Sequence, residues 1–353
     1  MLTFKTHTVD VPATKDGPFS TTFDVDITRP NPSPNARAVV ALQSFDVRYT
    51  DAEHRLLRLM VRAEVVGFGP FTTRVPVKLR LALRDDSGEW DDKFEGKIRV
   101  GIIIVDDDQT TVFSGSGQFD PRRGRGPATT DTLVTLNQPN HTGIAFLSGF
   151  DISYETSDHN VLEIGCGVES QTIEAAGTRF DSVESRLGLR DDSGFWDDSY
   201  QGAVYFNSLW FPTGRFGTDT GRISVTGVNE GPVSAESTHF VQQDVAKERV
   251  FVGMTGFKCA YTQGDHFLHR IVSGVSLDTV TNDPQKTSIE VKYKGGIRDR
   301  SNEWDDRYSC EGSYALLTVP APGLSLFPRR QLRVKKFNTA IRHTLSIPQG
   351  SGS

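Results

Sequence analysis

The chain has 353 residues, 36% of them hydrophobic, with 39 Lys and Arg against 45 Asp and Glu, a formal net charge of −6. That is apolar material for several ordinary cores, and the mild negative charge argues against general nucleic-acid affinity. No stretch reaches the ~18 apolar residues of a membrane span, so no membrane insertion is expected. Met1 to His7 contains no charged segment leading into an apolar core. The expected location is therefore cytoplasmic, or outside the cell by a route without a classical leader.

Strand signals dominate from the start. Val40 to Val47 is a mostly apolar run. After His54, the residues Leu57, Leu59, Val61, Ala63 and Val65 alternate with Arg58, Met60, Arg62 and Glu64, a period of two. Val77, Leu79, Leu81 and Leu83 repeat that alternation. Asp85-Asp86-Ser87-Gly88 then reads as a turn, because Asp and Ser bond back to the backbone and Gly accepts positive φ. Trp90 follows at or just past the tip, open to water or folded back to cap the core. Phe94, Gly96 and the apolar run Ile98 to Val105 complete the set. Helical periodicity is absent.

The same order returns twice. Arg84 to Asp92 recurs at Arg190 to Asp198 and, with Arg300 for the second Asp, at Arg298 to Asp306. Upstream, Ser148-Gly149-Phe150-Asp151 and Thr255-Gly256-Phe257-Lys258 echo Ser44-Phe45-Asp46, and His159 and His266 match His54. Downstream, Phe94/Gly96 corresponds to Tyr200/Gly202 and to Tyr308/Gly312, the third copy carrying two extra residues. Trp90, Trp196 and Trp304 are separated by 106 and 108 positions, the size of a domain rather than of a solenoid unit. The expected fold is all-β: three tandem antiparallel six-stranded β-sandwiches, at 1–111, 112–211 and 212–320. Pro30 to Pro34, Gly115 to Pro127 and Pro212 to Gly217 read as connections.

Residues 321–353 form a basic tail with six Lys or Arg and no acid, read as a solvated extension or linker. Cys166, Cys259 and Cys310 occupy non-equivalent repeat positions and suggest no shared disulfide or metal pattern. Cys166, on the apolar face of a strand, reads as a buried thiol. Asn140-His141-Thr142 is a glycosylation sequon, without meaning in the cytosol.

The repeated loop carries the chemistry. Sugars are recognised by an aromatic face against C–H patches and by planar polar groups against paired hydroxyls. Arg84, Asp85, Asp86, Trp90, Asp91 and Asp92 supply that set, as do Arg190, Asp191, Asp192, Trp196, Asp197 and Asp198. The third copy offers Arg298, Trp304, Asp305 and Asp306. Calcium competes for the same carboxylates, although the spacing is not that of an EF-hand loop and Arg300 weakens the third copy. No other cofactor is expected. Paired catalytic carboxylates need a cleft that hairpin tips rarely form, and no nucleophile motif is evident. His54, His159 and His266 each head a strand and read as surface or hydrogen-bonded histidines rather than bases. A non-enzyme is expected.

With these elements in place, the repeats resemble the H-type lectins. The carriers are the apolar strand ending in Ser148-Gly149-Phe150-Asp151, the alternating strand near Arg62, and the Trp-Asp-Asp hairpin before Ile98 to Val105. The resemblance touches most of residues 1–320. It implies six-stranded sandwiches assembled as trimers, with galactose- or N-acetylgalactosamine-type glycans bound near subunit interfaces. By position it places sugar contacts on Trp90 and Asp91, Trp196 and Asp197, Trp304 and Asp305, and on Arg62, where the other copies have Gly167 and Gly274. Three linked copies could rebuild the trimer within one chain. The expected partners are glycans or glycoproteins, and the expected state is a monomer with an internal pseudo-trimer or a higher homo-oligomer. The alternative is a structural or adhesion protein whose repeats bind protein, with calcium in the acidic loops.

Overall fold

The computed structural model describes Met1 to Pro320 except residues 16, 28–33, 70–71, 87–89, 91, 123–125, 137–139, 156, 176–177, 193–195, 197, 229, 242–244, 284–285, 300–303 and 305. The basic tail and the three positions Asp91, Asp197 and Asp305 therefore lie outside the described residues.

The first repeat holds β1 (Leu2–Thr14), β2 (Phe19–Asp26), β3 (Arg37–Tyr49), β4 (Arg58–Val65), β5 (Arg74–Arg84) and β6 (Phe94–Val105). The second holds β7 (Thr111–Arg122), β8 (Ala128–Val134), β9 (His141–Tyr154), β10 (Glu163–Ala175), β11 (Thr178–Arg190) and β12 (Tyr200–Pro212). The third holds β13 (Gly217–Val228), β14 (Val233–Val241), β15 (Val250–Tyr261), β16 (Arg270–Asp283), β17 (Lys286–Arg298) and β18 (Arg307–Thr318), after a 3-10 turn at Lys247–Arg249 within its β14–β15 connection. The two-residue alternation does what burial requires: β4 turns Leu59, Val61 and Ala63 inward and leaves Arg58, Arg62 and Glu64 half-buried.

All pairings are antiparallel and build three six-stranded sheets, β1-β6-β3-β16-β17-β14, β13-β18-β15-β10-β11-β8 and β2-β5-β4-β9-β12-β7. No sheet belongs to one repeat. Each repeat gives its first, sixth and third strands to one sheet and its fourth, fifth and second to another. Its own core lies between those two halves. The seams run β4 to β9, β10 to β15 and β16 to β3, so repeat 1 joins 2, 2 joins 3, and 3 closes on 1. The chain is a closed internal pseudo-trimer.

The seams are short and specifically built. Each is five residue pairs, the last being Arg62 with Gly149, Gly167 with Gly256, or Gly274 with Ser44. The strands there approach too closely for two side chains. A Cβ on Gly149 would sit 2.7 Å from the Arg62 Cα, and one on Gly274 2.2 Å from the Ser44 Cβ. Each seam also carries a diagonal ion pair: Arg58 with Asp151, Arg270 with Asp46, and, with the charges exchanged, Glu163 with Lys258. Behind the seams Phe45, Phe150 and Phe257 form a triangle with centroid separations of 5.3, 4.9 and 5.0 Å. Beyond it a second cluster, including Val39, Ala41, Phe146, Phe211, Phe251 and Leu317, fills the space where the repeats meet.

Three readings from the sequence need correction. Gly115 and Gly117 are not in a connection but inside β7, where Phe206 and Ser185 occupy the space a Cβ would take. Cys259 and Cys310 are directly paired across β15 and β18, Cα–Cα 4.2 Å, and form a disulfide. The equivalent pairs are Val47 with Gly96 and Ile152 with Gly202. Cys310 thus stands where the other copies have glycine, and Gly312 aligns with Ile98 instead. Cys166 is buried and free, its thiol pKa pushed well up by burial.

Candidate functional site

The tripled loops gather at one end of the molecule. There, residues after β3, β9 and β15 form three isolated bridges: His54 with Leu268, Leu56 with His159, and Val161 with His266. Each bridge carries two backbone hydrogen bonds of 2.8 and 3.1 Å. Each joins a different pair of repeats, making a collar that follows the same cyclic order as the seams. The chain ends of the described fold lie at the other end: Met1 N donates to the Asp106 carbonyl at 2.9 Å, and Arg249 to that of Pro320 at 2.7 Å.

Within each repeat, the histidine stands between the first and last aspartates of the acidic loop. His54 Nδ1 is 3.2 Å from Asp85 and 3.3 Å from Asp92. His159 Nδ1 is 3.6 Å from Asp191 and 3.4 Å from Asp198, and His266 Nδ1 is 3.6 Å from both Asp299 and Asp306. The other ring nitrogen faces Asp51 at 3.5 Å, Ser157 Oγ at 3.0 Å or the Gln263 carbonyl at 3.0 Å. A buried tyrosine backs each ring, with centroids at 4.5 to 4.6 Å for Tyr49–His54, Tyr154–His159 and Tyr261–His266. Burial, then the nearby aspartates, drive all three tyrosine pKa values upward, so they stay neutral. Asp51 goes the other way: partial burial opposes its charge, but backbone N–H groups of Lys93 and Ala52 hold its pKa below the usual range.

The indoles are half-buried. Arg84, Arg190 and Arg298 stack on Trp90, Trp196 and Trp304 at 5.4, 5.3 and 5.2 Å. Phe94, Tyr200 and Tyr308 lie on their inner sides at 6.4, 5.9 and 5.8 Å. Trp196 takes φ 55°, in the left-handed region that a bulky residue seldom adopts. Each tryptophan thus covers part of its core and keeps part of its surface in water. Asp86 and Asp192 are exposed, and their carboxylates have no partner among the described residues.

The loop residues do come together, but in divided roles. Arginine holds the indole, the outer aspartates hold histidine, and in the first two copies the second aspartate is exposed. The histidines, read from sequence as surface or hydrogen-bonded, are hydrogen-bonded and stand at the centre of each loop. Their signal was the constant offset from the Phe-Asp strand. Arg62 is not part of this end. It pairs in register with Arg80, four residues along β5 from Arg84, about 13 Å away. There it lies 4.1 Å over Tyr205, bonds Glu64 at 2.6 Å, and lines a cleft of about 410 Å³ beside the β4–β9 seam.

The donor sets His159–Asp191–Asp198 and His266–Asp299–Asp306, and Asp51–His54–Asp92 in the first repeat, keep their ligand atoms within 4.8 Å of one another. Tetrahedral ligands about 2.0–2.2 Å from an ion such as Zn²⁺ would be ~3.3–3.6 Å apart, close to the His–Asp separations. An imidazole nitrogen in the set suits such an ion better than calcium, which prefers oxygen alone.

No family model matches the chain, and no curated protein matches it. One solved structure, that of infectious bursal disease virus Gt strain, aligns over 92% of this chain and 82% of that one, at 10% identity and a TM-score of 0.15. Similarity of that degree carries no argument about fold or function.

Proposed function

We propose that the chain is a non-enzymatic, multivalent carbohydrate-binding protein, an internal pseudo-trimer of H-type-lectin-like repeats that takes galactose- or N-acetylgalactosamine-type glycans. The observation that carries this reading is the collar. It gathers three half-exposed indoles, each backed by an arginine, at the end opposite Met1 and Pro320. In the same loops as Trp90 and Trp196, the exposed Asp86 and Asp192 add carboxylates without a partner among the described residues, able to accept hydroxyl protons. An indole with one face supported and an edge in water, next to an unpaired carboxylate, is the pairing a pyranose needs. Three weak sites on one face gain from one another when the glycans are themselves clustered. Glycan-array binding of the intact chain, lost in Trp90→Ala/Trp196→Ala, is the test. A folded chain that binds no glycan would move the assignment to a protein-binding adhesion module.

The His–Asp–Asp sets favour a second reading at the same end, a divalent cation that fixes each loop. Bound metal would raise the melting temperature and a chelator would lower it. An unchanged melting temperature under both treatments removes the cation from the account.

A further inference from the structure

The acidic loops of repeats 1 and 2 each touch the repeat that follows in the ring. The residue before the histidine is acidic in all three copies: Glu53, Asp158 and Asp265. Asp158 belongs to repeat 2, yet its Oδ2 accepts the backbone N–H of Asp86 in the loop of repeat 1, at 3.3 Å. Asp265 belongs to repeat 3, and its Oδ2 accepts the Asp192 N–H in the loop of repeat 2, also at 3.3 Å. The other oxygen is held by the receiving repeat as well. Arg55 Nη1 reaches Asp158 Oδ1 at 4.0 Å, and Asn160 Nδ2 donates to Asp265 Oδ1 at 3.5 Å. Arg55 and Asn160 are the equivalent residues, each immediately after its histidine. The cyclic order returns at the third corner, where Glu53 of repeat 1 bears on Tyr261 of repeat 3 as Asp158 bears on Tyr49. Phe267, 39% exposed, there replaces Arg55 and Asn160.

The amides these acids hold belong to the two exposed aspartates whose carboxylates have no partner among the described residues. A loop amide held from across the repeat boundary restrains the backbone from which the exposed carboxylate extends. We propose that Asp158 and Asp265 are positioning residues: each orients the exposed aspartate of the preceding repeat's loop, Asp86 or Asp192, for ligand. The brace is thus made only where two repeats meet. At the third corner a longer acid, Glu53, and Phe267 stand in these positions. The positioning role rests on the glycan-binding reading, and the experiment separates the two.

Two readouts on the full chain suffice. Amide hydrogen exchange reports the brace without any ligand. Asp158→Ala should deprotect the Asp86 amide about tenfold with the Asp192 amide protected as before, and Asp265→Ala should do the reverse. Titration with N-acetylgalactosamine in a Trp196→Ala/Trp304→Ala background reports the first site alone. Asp158→Ala should weaken it about tenfold, and Asp158→Asn, which keeps an acceptor oxygen, should restore most of the affinity. Equal deprotection of both amides by either variant would show a general loss of stability and overturn the proposal. So would an Asp158→Ala chain that binds sugar as tightly as its parent. A parent background that binds no sugar overturns the glycan reading, and exchange still decides the brace.

Discussion

Glu163 and Lys258 meet at 2.9 Å across the β10–β15 seam, with charges opposite to those of the equivalent pairs Arg58–Asp151 and Arg270–Asp46. Two seams place the cation on the fourth strand of a repeat and the anion on the third strand of its neighbour. The remaining seam inverts both at once. A joint exchange at one corner of a pseudo-threefold ring marks the pair as a unit, and it makes the corners distinguishable. A seam that mixed Arg58 with Lys258, or Glu163 with Asp151, would set like charges together.

Charge exchange is therefore a direct test of the seams. Asp151→Lys should destabilise the chain by about 1–2 kcal/mol, since it opposes two cations at a partly exposed site. Adding Arg58→Glu should recover most of the loss by recreating the Glu163–Lys258 polarity. Chemical denaturation of the single and double variants measures the coupling. Additive losses would show that the pair does not act across the seam.

Backbone proximity gives a second prediction. A Cβ on Gly149 would lie 2.7 Å from both the Arg62 Cα and the Val61 carbonyl oxygen, and backbone cannot step aside as a side chain can. Gly149→Val should cost about 2–3 kcal/mol through overpacking. Arg62→Ala, at the same pair but pointing into the cleft, should cost under ~1 kcal/mol. Equal melting temperatures for the two variants would contradict the seam geometry.

The aromatic triangle is shared by all three repeats, so its loss should be felt by the whole molecule. Phe150 is fully buried between Phe45 and Phe257. Phe150→Ala should cost about 3–5 kcal/mol, in one cooperative transition rather than as the melting of one repeat. Separate calorimetric transitions in that variant would show three independent domains instead of a ring.

At the end opposite the collar, Asp107 supplies a pH dependence. Burial works against its charge, but a hydrogen bond from Thr110 at 2.8 Å, the Met1 ammonium at 3.3 Å and Arg215 at 3.4 Å together lower its pKa. A carboxyl depressed in the folded state adds stability above its unfolded pKa, and that stability is lost as pH falls through the folded value. Asp107→Asn should therefore be less stable than the parent at neutral pH, with the gap closing in acid as pH falls through the depressed folded value. A gap that persists in strong acid would mean that the change is steric.

Much of this architecture was legible in the chain. The constant order of Phe-Asp strand, histidine, alternating strand and Trp-Asp-Asp loop located the copies, and the period of two in Leu59, Val61 and Ala63 located the buried face. The sharing of sheets was not, because a strand that pairs with its neighbour's β-strand carries the same alternation as one that pairs at home. The visible trace lay in residues that change together: Arg58, Glu163 and Arg270 against Asp151, Lys258 and Asp46, and a glycine on at least one side of every seam pair at Arg62, Gly167 and Gly274. Gly115 and Gly117 read as turn residues because glycine inside a strand signals close packing only when the neighbour is known. The cysteines misled for a related reason: equivalence was judged along the sequence, whereas β15 and β18 bring different repeat offsets face to face. At the site, residue types were right and roles were not. Asp85 and Asp92 looked free because their partner, His54, lies 31 and 38 positions upstream.

The central claim is that the collar end grips sugar through its tryptophans, and calorimetric titration of the intact chain with N-acetylgalactosamine addresses it most directly. The account predicts saturable millimolar binding at more than one site per chain, abolished at the first two sites by Trp90→Ala/Trp196→Ala in a chain that still melts cooperatively. Binding that survives unchanged in that variant, or no heat at all from the folded parent at tens of millimolar sugar, would contradict it.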